Sequence, residues 1–285
     1  MPTIAGVLPN YSEMPADRFC TRFPQASLVG FNFNQMSPTD LSNSVPWGIG
    51  LGKQAIAKGR KVLWSVPFPG ARRVEEVNEG LHDDRYRTIA DQLLTAEPGT
   101  GVIYVRLPWE FNLPGNPENL MTDKNGVVNV SLGIRAWRRL AMIFRAKSSR
   151  FKIIWSPAVQ HPTSEAFDPL TAWPGLEYVD IIAPDMYLGY VFGHKPGDYT
   201  GGWFKTPFMK LRDFAYLKGK PFGLSETGAD HDDFAADVRA WLTDTVAAPS
   251  GCAFISWWDD WQVIDCTIST GLRTSLAAAY ESIVK

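Results

Sequence analysis

Two glutamates follow short apolar segments of the sequence and could act together as an acid and a base. Glu110 ends the run Val102-Ile-Tyr-Val-Arg-Leu-Pro-Trp-Glu, and Glu226 ends the run Pro221-Phe-Gly-Leu-Ser-Glu. Such a run is typical of a buried strand, so each carboxylate is predicted at the carboxyl end of one. One carboxyl group can protonate a leaving oxygen while a second attacks carbon or activates water. These glutamates are the candidate catalytic residues.

Aromatic and polar side chains follow several other apolar segments. Indole rings pack against the flat C–H faces of sugars, and amides and carboxylates can bind sugar hydroxyls. Because two carboxyl groups suffice to cleave an acetal, this inventory indicates carbohydrate cleavage without a cofactor. Packing in the core or capping of a turn is an ordinary alternative for most of these residues. The candidate substrate-binding residues are Trp64, Trp109, Asn112, Trp155, Asp185, Trp258 and Asp259.

Eight short apolar segments alternate with longer segments of helical period. One helical stripe consists of Tyr86, Ile89 and Leu93, and another of Phe234, Val238 and Trp241, with aspartates 232 and 233 in its predicted first turn. Alternating strands and helices favour parallel pairing and a sheet covered on both faces. The predicted strands are 4–8, 28–33, 62–66, 102–107, 152–155, 179–183, 222–225 and 253–257.

Eight strand and helix units within 285 residues predict an α/β protein with one (β/α)8 TIM barrel spanning residues 1–285. A doubly wound open sheet is the competing topology. It normally has a glycine-rich phosphate turn after its first strand, and the segment Gly-Val-Leu-Pro-Asn-Tyr at 6–11 offers none. The active site of a barrel lies at the carboxyl ends of its strands. The long non-periodic segments 113–130 and 188–202 are expected to form loops that line that mouth.

The composition argues against two classes of partner. A net charge of −2 provides no basic field for nucleic acid, so no nucleic-acid partner is expected. No apolar run approaches the ~20 residues of a membrane span, and the first residues lack a signal core. A removed signal peptide would leave no trace, so the compartment stays open. A monomer is expected, and a polysaccharide substrate would favour a secreted or periplasmic location.

The cysteines and histidines give no sign of a metal. Cys20, Cys252 and Cys266 are predicted to be buried thiols, with a disulfide between the last two as the alternative. The four histidines are scattered and have no metal-site spacing, so neither a catalytic metal nor a cofactor is expected. They are His82, His161, His194 and His231.

Four separated segments of this chain resemble glycoside hydrolase clan A, the retaining (β/α)8 enzymes. The likeness is greatest to family 26, known for β-mannanases with some β-glucanases and xylanases. The order and spacing of the segments agree from end to end. The segments are Val-Arg-Leu-Pro-Trp-Glu-Phe-Asn at 105–112, the run from Trp-Pro-Gly to Asp-Met-Tyr at 173–187, Pro-Phe-Gly-Leu-Ser-Glu-Thr-Gly at 221–228, and Phe-Ile-Ser-Trp-Trp-Asp-Asp at 254–260.

The resemblance implies a role for each matching residue. Glu110 corresponds to the acid/base and Glu226 to the nucleophile, and Tyr187 corresponds to the tyrosine that hydrogen-bonds the nucleophile. Arg106 is expected to keep the nucleophile ionised, because a nearby cation favours a carboxylate. The implied activity is retaining, endo-acting hydrolysis of a β-linked polysaccharide. A transglycosylase with the same two glutamates and a non-catalytic carbohydrate-binding barrel remain the alternatives.

The chain departs from the family at the residue before the acid/base. Family 26 usually has histidine there and many other clan members have asparagine, whereas this chain has Trp109. A large indole beside the scissile bond should reshape that subsite and remove polar recognition. Plain β-mannan is therefore predicted to be a poor substrate, and a mixed β-glucan or a bacterial exopolysaccharide is the hypothesis in its place.

Overall fold

Strands and helices alternate along nearly the whole chain in the computed structural model, which describes residues 4–8, 13–117, 119–159, 167–260 and 265–284. Within these ranges there are nine strands and eight α-helices. The strands are β1 (Ile4–Leu8), β2 (Ala26–Asn32), β3 (Lys61–Ser65), β4 (Ile103–Arg106), β5 (Phe151–Trp155), β6 (Ile181–Ile182), β7 (Asp185–Leu188), β8 (Phe222–Ala229) and β9 (Cys252–Trp258). The helices are α1 (Glu13–Arg22), α2 (Pro38–Ala57), α3 (Val74–Glu79), α4 (Asp83–Ala96), α5 (Val130–Lys147), α6 (Lys205–Leu217), α7 (Ala235–Val246) and α8 (Thr274–Ile283).

The strands form one closed parallel ring. Their order is β6-β5-β4-β3-β2-β1-β9-β8-β7, and β6 also pairs with β8, where Ile182 lies opposite Phe222. Because β6 and β7 share the sixth place in the ring, the sheet is an eight-stranded barrel with helices around it. The predicted (β/α)8 class is confirmed.

The sixth place differs from the single strand predicted at 179–183. Pro184 separates β6 from β7, and proline has no backbone N–H to donate to a sheet. Beyond it β7 pairs with β8, so Asp185 lies opposite Glu226 and Tyr187 lies opposite Gly228. After the interruption the chain continues as β7 toward the mouth of the barrel. This places the side chains of Asp185 and Tyr187 beside Glu226.

Two groups of buried apolar residues lie on the two sides of the ring. The larger group fills the layer between strands and helices and includes Trp64, Trp137, Trp155 and Trp241. The smaller group comes from strands all round the ring, so its members can meet only in the barrel interior. It consists of Leu28, Leu63, Ile154, Ile181, Ala183 and Phe254. This apolar interior lies on the amino-terminal side of the polar residues on β4 and β8.

The predicted helical stripes are buried as expected, with one difference at a helix start. Tyr86, Ile89 and Leu93 face inward from α4. Asp232 lies in a 3-10 turn before α7 rather than in its first turn. Its carboxylate accepts hydrogen bonds from the backbone of Ser275 and Leu276 at the start of α8. It therefore stabilises the positive end of a different helix.

The cysteines form no disulfide, so the alternative of a bridge between Cys252 and Cys266 is wrong. Cys266 is fully buried beside Trp258 and Leu8. Across the described residues, no helix is both long and apolar enough to cross a membrane.

Candidate active site

Glu110 is held by a tight turn at the end of β4. The strand ends at Arg106, and Glu110 has a φ of 48°, in the left-handed region that non-glycine residues seldom adopt. Its N–H donates to the Ser156 carbonyl at 2.8 Å, and its own carbonyl accepts from Leu113 at 2.9 Å. Strand alternation therefore does not continue from Arg106 to Glu110. Instead, the direction of the Glu110 side chain is set by this turn, which is held by hydrogen bonds to the backbone of Ser156 and Leu113.

Glu226 receives hydrogen bonds from three strands. The Tyr187 hydroxyl donates to Oε2 at 2.8 Å, and Asn32 Nδ2 donates to Oε1 at 3.4 Å. Arg106 Nη1 donates to the same Oε1 in a short charge-assisted bond. Only 6% of Glu226 is exposed. Each neighbour donates to this carboxyl group, which is thereby fixed in position.

Arg106 has a second carboxylate partner. Its Nη2 donates to Asp185, whose other oxygen accepts from the Ser156 hydroxyl at 3.1 Å. Burial disfavours the guanidinium, but the charges of Asp185 and Glu226 prevail and raise the pKa of Arg106. Burial also raises the pKa of Asp185 well above its usual range, against the influence of Arg106. Asp185 is therefore a buried partner of Arg106, which corrects its expected role as a sugar ligand.

The environment of Glu110 suits a proton donor. Burial, and then the negative charge of Glu226, raise the pKa of Glu110 to about 7, while Arg106 and Asn116 act in the opposite direction. Burial and the charge of Glu226 raise the pKa of Tyr187 well above its usual range, so the phenol stays a neutral donor. The two glutamates therefore differ in environment although they share one mouth.

Trp109 lies against the site from one side. The Arg106 guanidinium carbon is 4.7 Å from the Trp109 ring centroid, and 5% of Trp109 is exposed. This is the geometry of a cation–π contact, and it shields the arginine from water. Trp258 also approaches the site, since it packs with Leu8, Cys266 and Tyr187.

Trp64 and Trp155 lie outside the mouth, which corrects their expected role in substrate binding. Trp64 is fully buried between β3 and α2, and its Nε1 donates to Glu97 at 2.6 Å. Trp155 is fully buried against Trp173 and Phe214. Alternate residues of a strand face opposite sides of the barrel, and these two face the helices.

Asn112 and Asp259 form hydrogen bonds with the protein backbone, which corrects their expected role in substrate binding. Asn112 exchanges two hydrogen bonds with the backbone of Ala158, at 2.9 and 3.1 Å. Asp259 accepts from the backbone N–H groups of Ile268 and Ser269 and is 1% exposed. Both residues hold loops at the mouth together and are not presented to a ligand.

The structure also brings polar residues to the site that the sequence pattern did not single out as ligands. Asn32 ends β2 beside Glu226, and Ser156 follows β5 beside Asp185. Asn116 lies in the long segment after β4 and reaches Glu110. The local signal was position alone, since Asn32 lies near the end of the predicted strand 28–33, Ser156 follows the predicted strand 152–155, and Asn116 falls in a predicted mouth loop.

Metal-binding side chains do not converge anywhere in the described part of the chain, where no three His, Cys, Asp or Glu residues could hold an ion. One of the four histidines, His161, lies outside that part.

Comparisons with known proteins give a result for the fold alone. No family model matches the sequence, and no curated protein matches it either. Solved structures do match. GH26C from Muricauda sp. has a TM-score of 0.65 at 15% identity, over 99% of this chain and 85% of that one. The catalytic domain of the Bacillus sp. JAMB-750 GH26 endo-β-1,4-mannanase has a TM-score of 0.68 at 13% identity, over 99% and 85%. The endo-β-1,4-mannanase from Thermotoga petrophila has a TM-score of 0.63 at 12% identity, over 99% and 76%. The resemblance to family 26 is thus confirmed at the level of the fold.

Proposed function

We propose that this protein is a retaining, endo-acting glycoside hydrolase that cleaves a β-linked polysaccharide without a cofactor. The observation that carries the proposal is the contrast between the two glutamates. Glu226 is surrounded by donors, and Glu110, beside it, has a pKa raised to about 7. A carboxyl group held by donors next to a carboxyl group whose pKa is raised toward neutrality is the pair that double displacement requires.

In the first step a Glu226 oxygen attacks the anomeric carbon while Glu110 gives its proton to the glycosidic oxygen. The bond from that oxygen to the anomeric carbon breaks, and the leaving chain departs with a new hydroxyl group. Glu226 is then an uncharged ester. For this attack, retaining enzymes hold the carboxyl groups about 5 to 5.5 Å apart, and we expect that separation here.

Loss of the charge on Glu226 changes the task of Glu110. That charge is one of the two causes that raise the pKa of Glu110, so esterification lowers this pKa. Glu110, now ionised, removes a proton from water as the water oxygen attacks the anomeric carbon. The ester bond breaks, Glu226 regains its charge, and Glu110 is protonated again. The change of role therefore follows from the charge of the nucleophile.

The donors to Glu226 contribute to both steps. Arg106 and Tyr187 fix the attacking carboxylate and favour its return as a leaving group in the second step. Burial of Arg106 under Trp109 strengthens these interactions, because water is excluded from the guanidinium face.

The sugar is the open part of the proposal. Two of the structural neighbours are described as endo-β-1,4-mannanases, which supports an endo-acting enzyme for β-linked chains. The indole of Trp109 has one N–H donor and no acceptor, whereas a histidine ring can both donate to a sugar hydroxyl and accept from it. Trp109 therefore argues against plain β-mannan as the preferred polymer.

A transglycosylase would use the same two glutamates and transfer the glycosyl group to a sugar instead of water. A non-catalytic sugar-binding barrel is the alternative from another class. The contrasting environments of Glu110 and Glu226 favour catalysis, since binding alone does not require a carboxyl group with its pKa near neutrality.

The test is release of reducing ends from a panel of polysaccharides, with product stereochemistry followed by NMR from the first turnovers. We expect release from at least one β-linked polymer, with retention of the anomeric configuration. Products longer than the acceptor would indicate transglycosylation. Binding without release from any polymer would favour the carbohydrate-binding barrel, and inverted products would contradict the retaining mechanism.

A further inference from the structure

Three side-chain amides form a continuous hydrogen-bonded chain that ends at Glu110. They are Asn119, Gln35 and Asn116, and we call them the amide chain. Asn119 Nδ2 donates to Gln35 Oε1 at 2.8 Å, and Gln35 Nε2 donates to Asn116 Oδ1 at 3.2 Å. Asn116 Nδ2 then lies 3.5 Å from Glu110 Oε2. Asn119 is fully buried, Asn116 is 7% exposed and Gln35 is half-buried, so water competes little at the two asparagines.

Backbone groups fix the direction of the amide chain at both ends. The Phe68 N–H can only donate, and it donates to Asn119 Oδ1 at 3.2 Å. The Trp109 carbonyl can only accept, and it accepts from Asn116 Nδ2 at 3.3 Å. Reversing any one amide would place donor against donor or acceptor against acceptor. The two ends therefore require the same orientation of all three amides.

This orientation determines which group of Asn116 faces Glu110 Oε2. Asn116 can present only N–H to Oε2, because its oxygen is already occupied by Gln35. A donor there favours the ionised carboxylate. When Glu110 is protonated, Oε2 serves as the acceptor, and the proton is favoured on Oε1.

We propose that Asn116 is a positioning residue that places the Glu110 proton on Oε1, and that the amide chain fixes Asn116 for this task. This inference rests on the proposed function, in which Glu110 is the acid. It assigns a purpose to the loop after β4, in which Asn116 bonds Gln35 from the loop after β2, and Asn119 bonds both Gln35 and the Phe68 backbone from the loop after β3.

Other charged and titratable groups also face Glu110 and must stay constant in a test. They are Glu226 and Tyr187 from β8 and β7, and Arg106 and Asp185 from β4 and β7. Substitutions at Asn116 and Gln35 leave all four in place.

The experiment is a carboxyl ¹³C NMR titration of the substrate-free protein labelled at glutamate, with the Glu110 resonance assigned by its loss in Glu110→Gln. In Asn116→Ala we expect the Glu110 midpoint to rise by about half a unit to one unit, less than a full hydrogen bond to the charged form would give, because the Asn116–Glu110 contact is long at 3.5 Å. Gln35→Met is the comparison variant. It breaks the amide chain and leaves Asn116 held by the Trp109 carbonyl alone, so the Glu110 midpoint should rise by less than in Asn116→Ala.

A second measurement needs no substitution at Asn116. In the wild-type protein the Asn116 side-chain amide, assigned through bonds from its own backbone, should shift with the same midpoint as Glu110. An Asn116 amide that does not respond to this titration would overturn the proposal. So would an Asn116→Ala midpoint equal to the wild type, or an equal rise in Gln35→Met, which would indicate general loosening of the loop.

These readouts separate the inference from the proposed function, because the titration uses no substrate. Titrations as expected together with no cleavage of any polymer would leave the Asn116 contact in place and remove the catalytic role of Glu110. Cleavage of a polymer together with an Asn116 amide that does not respond to the titration would support the catalytic role of Glu110 and remove the positioning role of Asn116.

Discussion

Arg106 donates one terminal nitrogen to Glu226 and the other to Asp185, so one fully buried cation joins β4 to both β8 and β7. The two carboxylates are also opposite each other in the register of β7 and β8. Loss of Asp185 would leave Glu226 as the charged partner of Arg106 but would leave the other terminal nitrogen without its acceptor, and a hydrogen bond to a charged group contributes about 1.5 to 3 kcal/mol.

Asp185→Ala should therefore lower the free energy of unfolding by about 1.5 to 3 kcal/mol. Ser156→Ala is the matched control, because it removes only a neutral donor to the same carboxylate and should cost about 1 kcal/mol. Urea unfolding followed by circular dichroism measures both. Equal losses in the two variants would show that Asp185 does not balance the charge of Arg106.

Substitutions of the two proposed catalytic glutamates should affect activity in different ways. Glu226→Ala is expected to abolish turnover on every substrate, because no other group can form the ester. Glu110→Ala should retain first-step chemistry on aryl glycosides with an activated leaving group, which need little proton donation. Small anions such as azide should then restore turnover by replacing the activated water. Rescue of Glu226→Ala with retained products, or no residual chemistry in Glu110→Ala, would contradict the assignment.

The pH dependence of kcat/KM should show an alkaline limb near pH 7. Burial and the charge of Glu226 raise the pKa of Glu110 to about 7. The protonated acid is present below that pH, so activity should fall as pH rises through it. The limb should be absent on substrates whose leaving group needs no proton. An alkaline limb that persists with such substrates would belong to a different group.

Trp109 should decide the preferred polymer. Plain β-mannan is expected to yield fewer reducing ends than a mixed β-glucan or a bacterial exopolysaccharide under matched conditions. Trp109→Ala uncovers the Arg106 guanidinium and should lower kcat through loss of a contact of about 1 to 2 kcal/mol. Efficient cleavage of mannan, with no better substrate in a broad panel, would contradict this hypothesis about substrate specificity.

Packing of α2 on β3 should depend on a glycine. A Cβ added at Gly52 would lie 2.0 Å from the Trp64 ring, whereas a Cβ at Gly50 of the same helix would meet nothing within 4 Å. Gly52→Ala should destabilise the protein by about 1 to 3 kcal/mol through overpacking. Gly50→Ala should stabilise it by up to about 1 kcal/mol, since alanine favours a helix. Thermal unfolding of the pair is the measurement, and equal shifts would contradict the packing.

The sequence determined the barrel and the location of its mouth. Eight apolar segments separated by amphipathic stripes leave few ways to bury every strand on both faces, and a closed ring is one of them. The same pattern predicted Glu110 and Glu226 near the carboxyl ends of strands, and the structure has Glu110 in the turn after β4 and Glu226 in the second half of β8.

Tertiary structure alone decided which polar and aromatic residues face that mouth. Trp64 and Trp155 lie in the last two residues of their strands, as Trp258 does, yet the first two face the helices, and strand register set this difference. Asp185 became a partner of Arg106 because Pro184 divides the sixth strand. Asn116 reaches Glu110 only through a loop whose path depends on amides from two other loops. Local pattern cannot specify such contacts, because each depends on residues distant in sequence that meet only once the ring has closed.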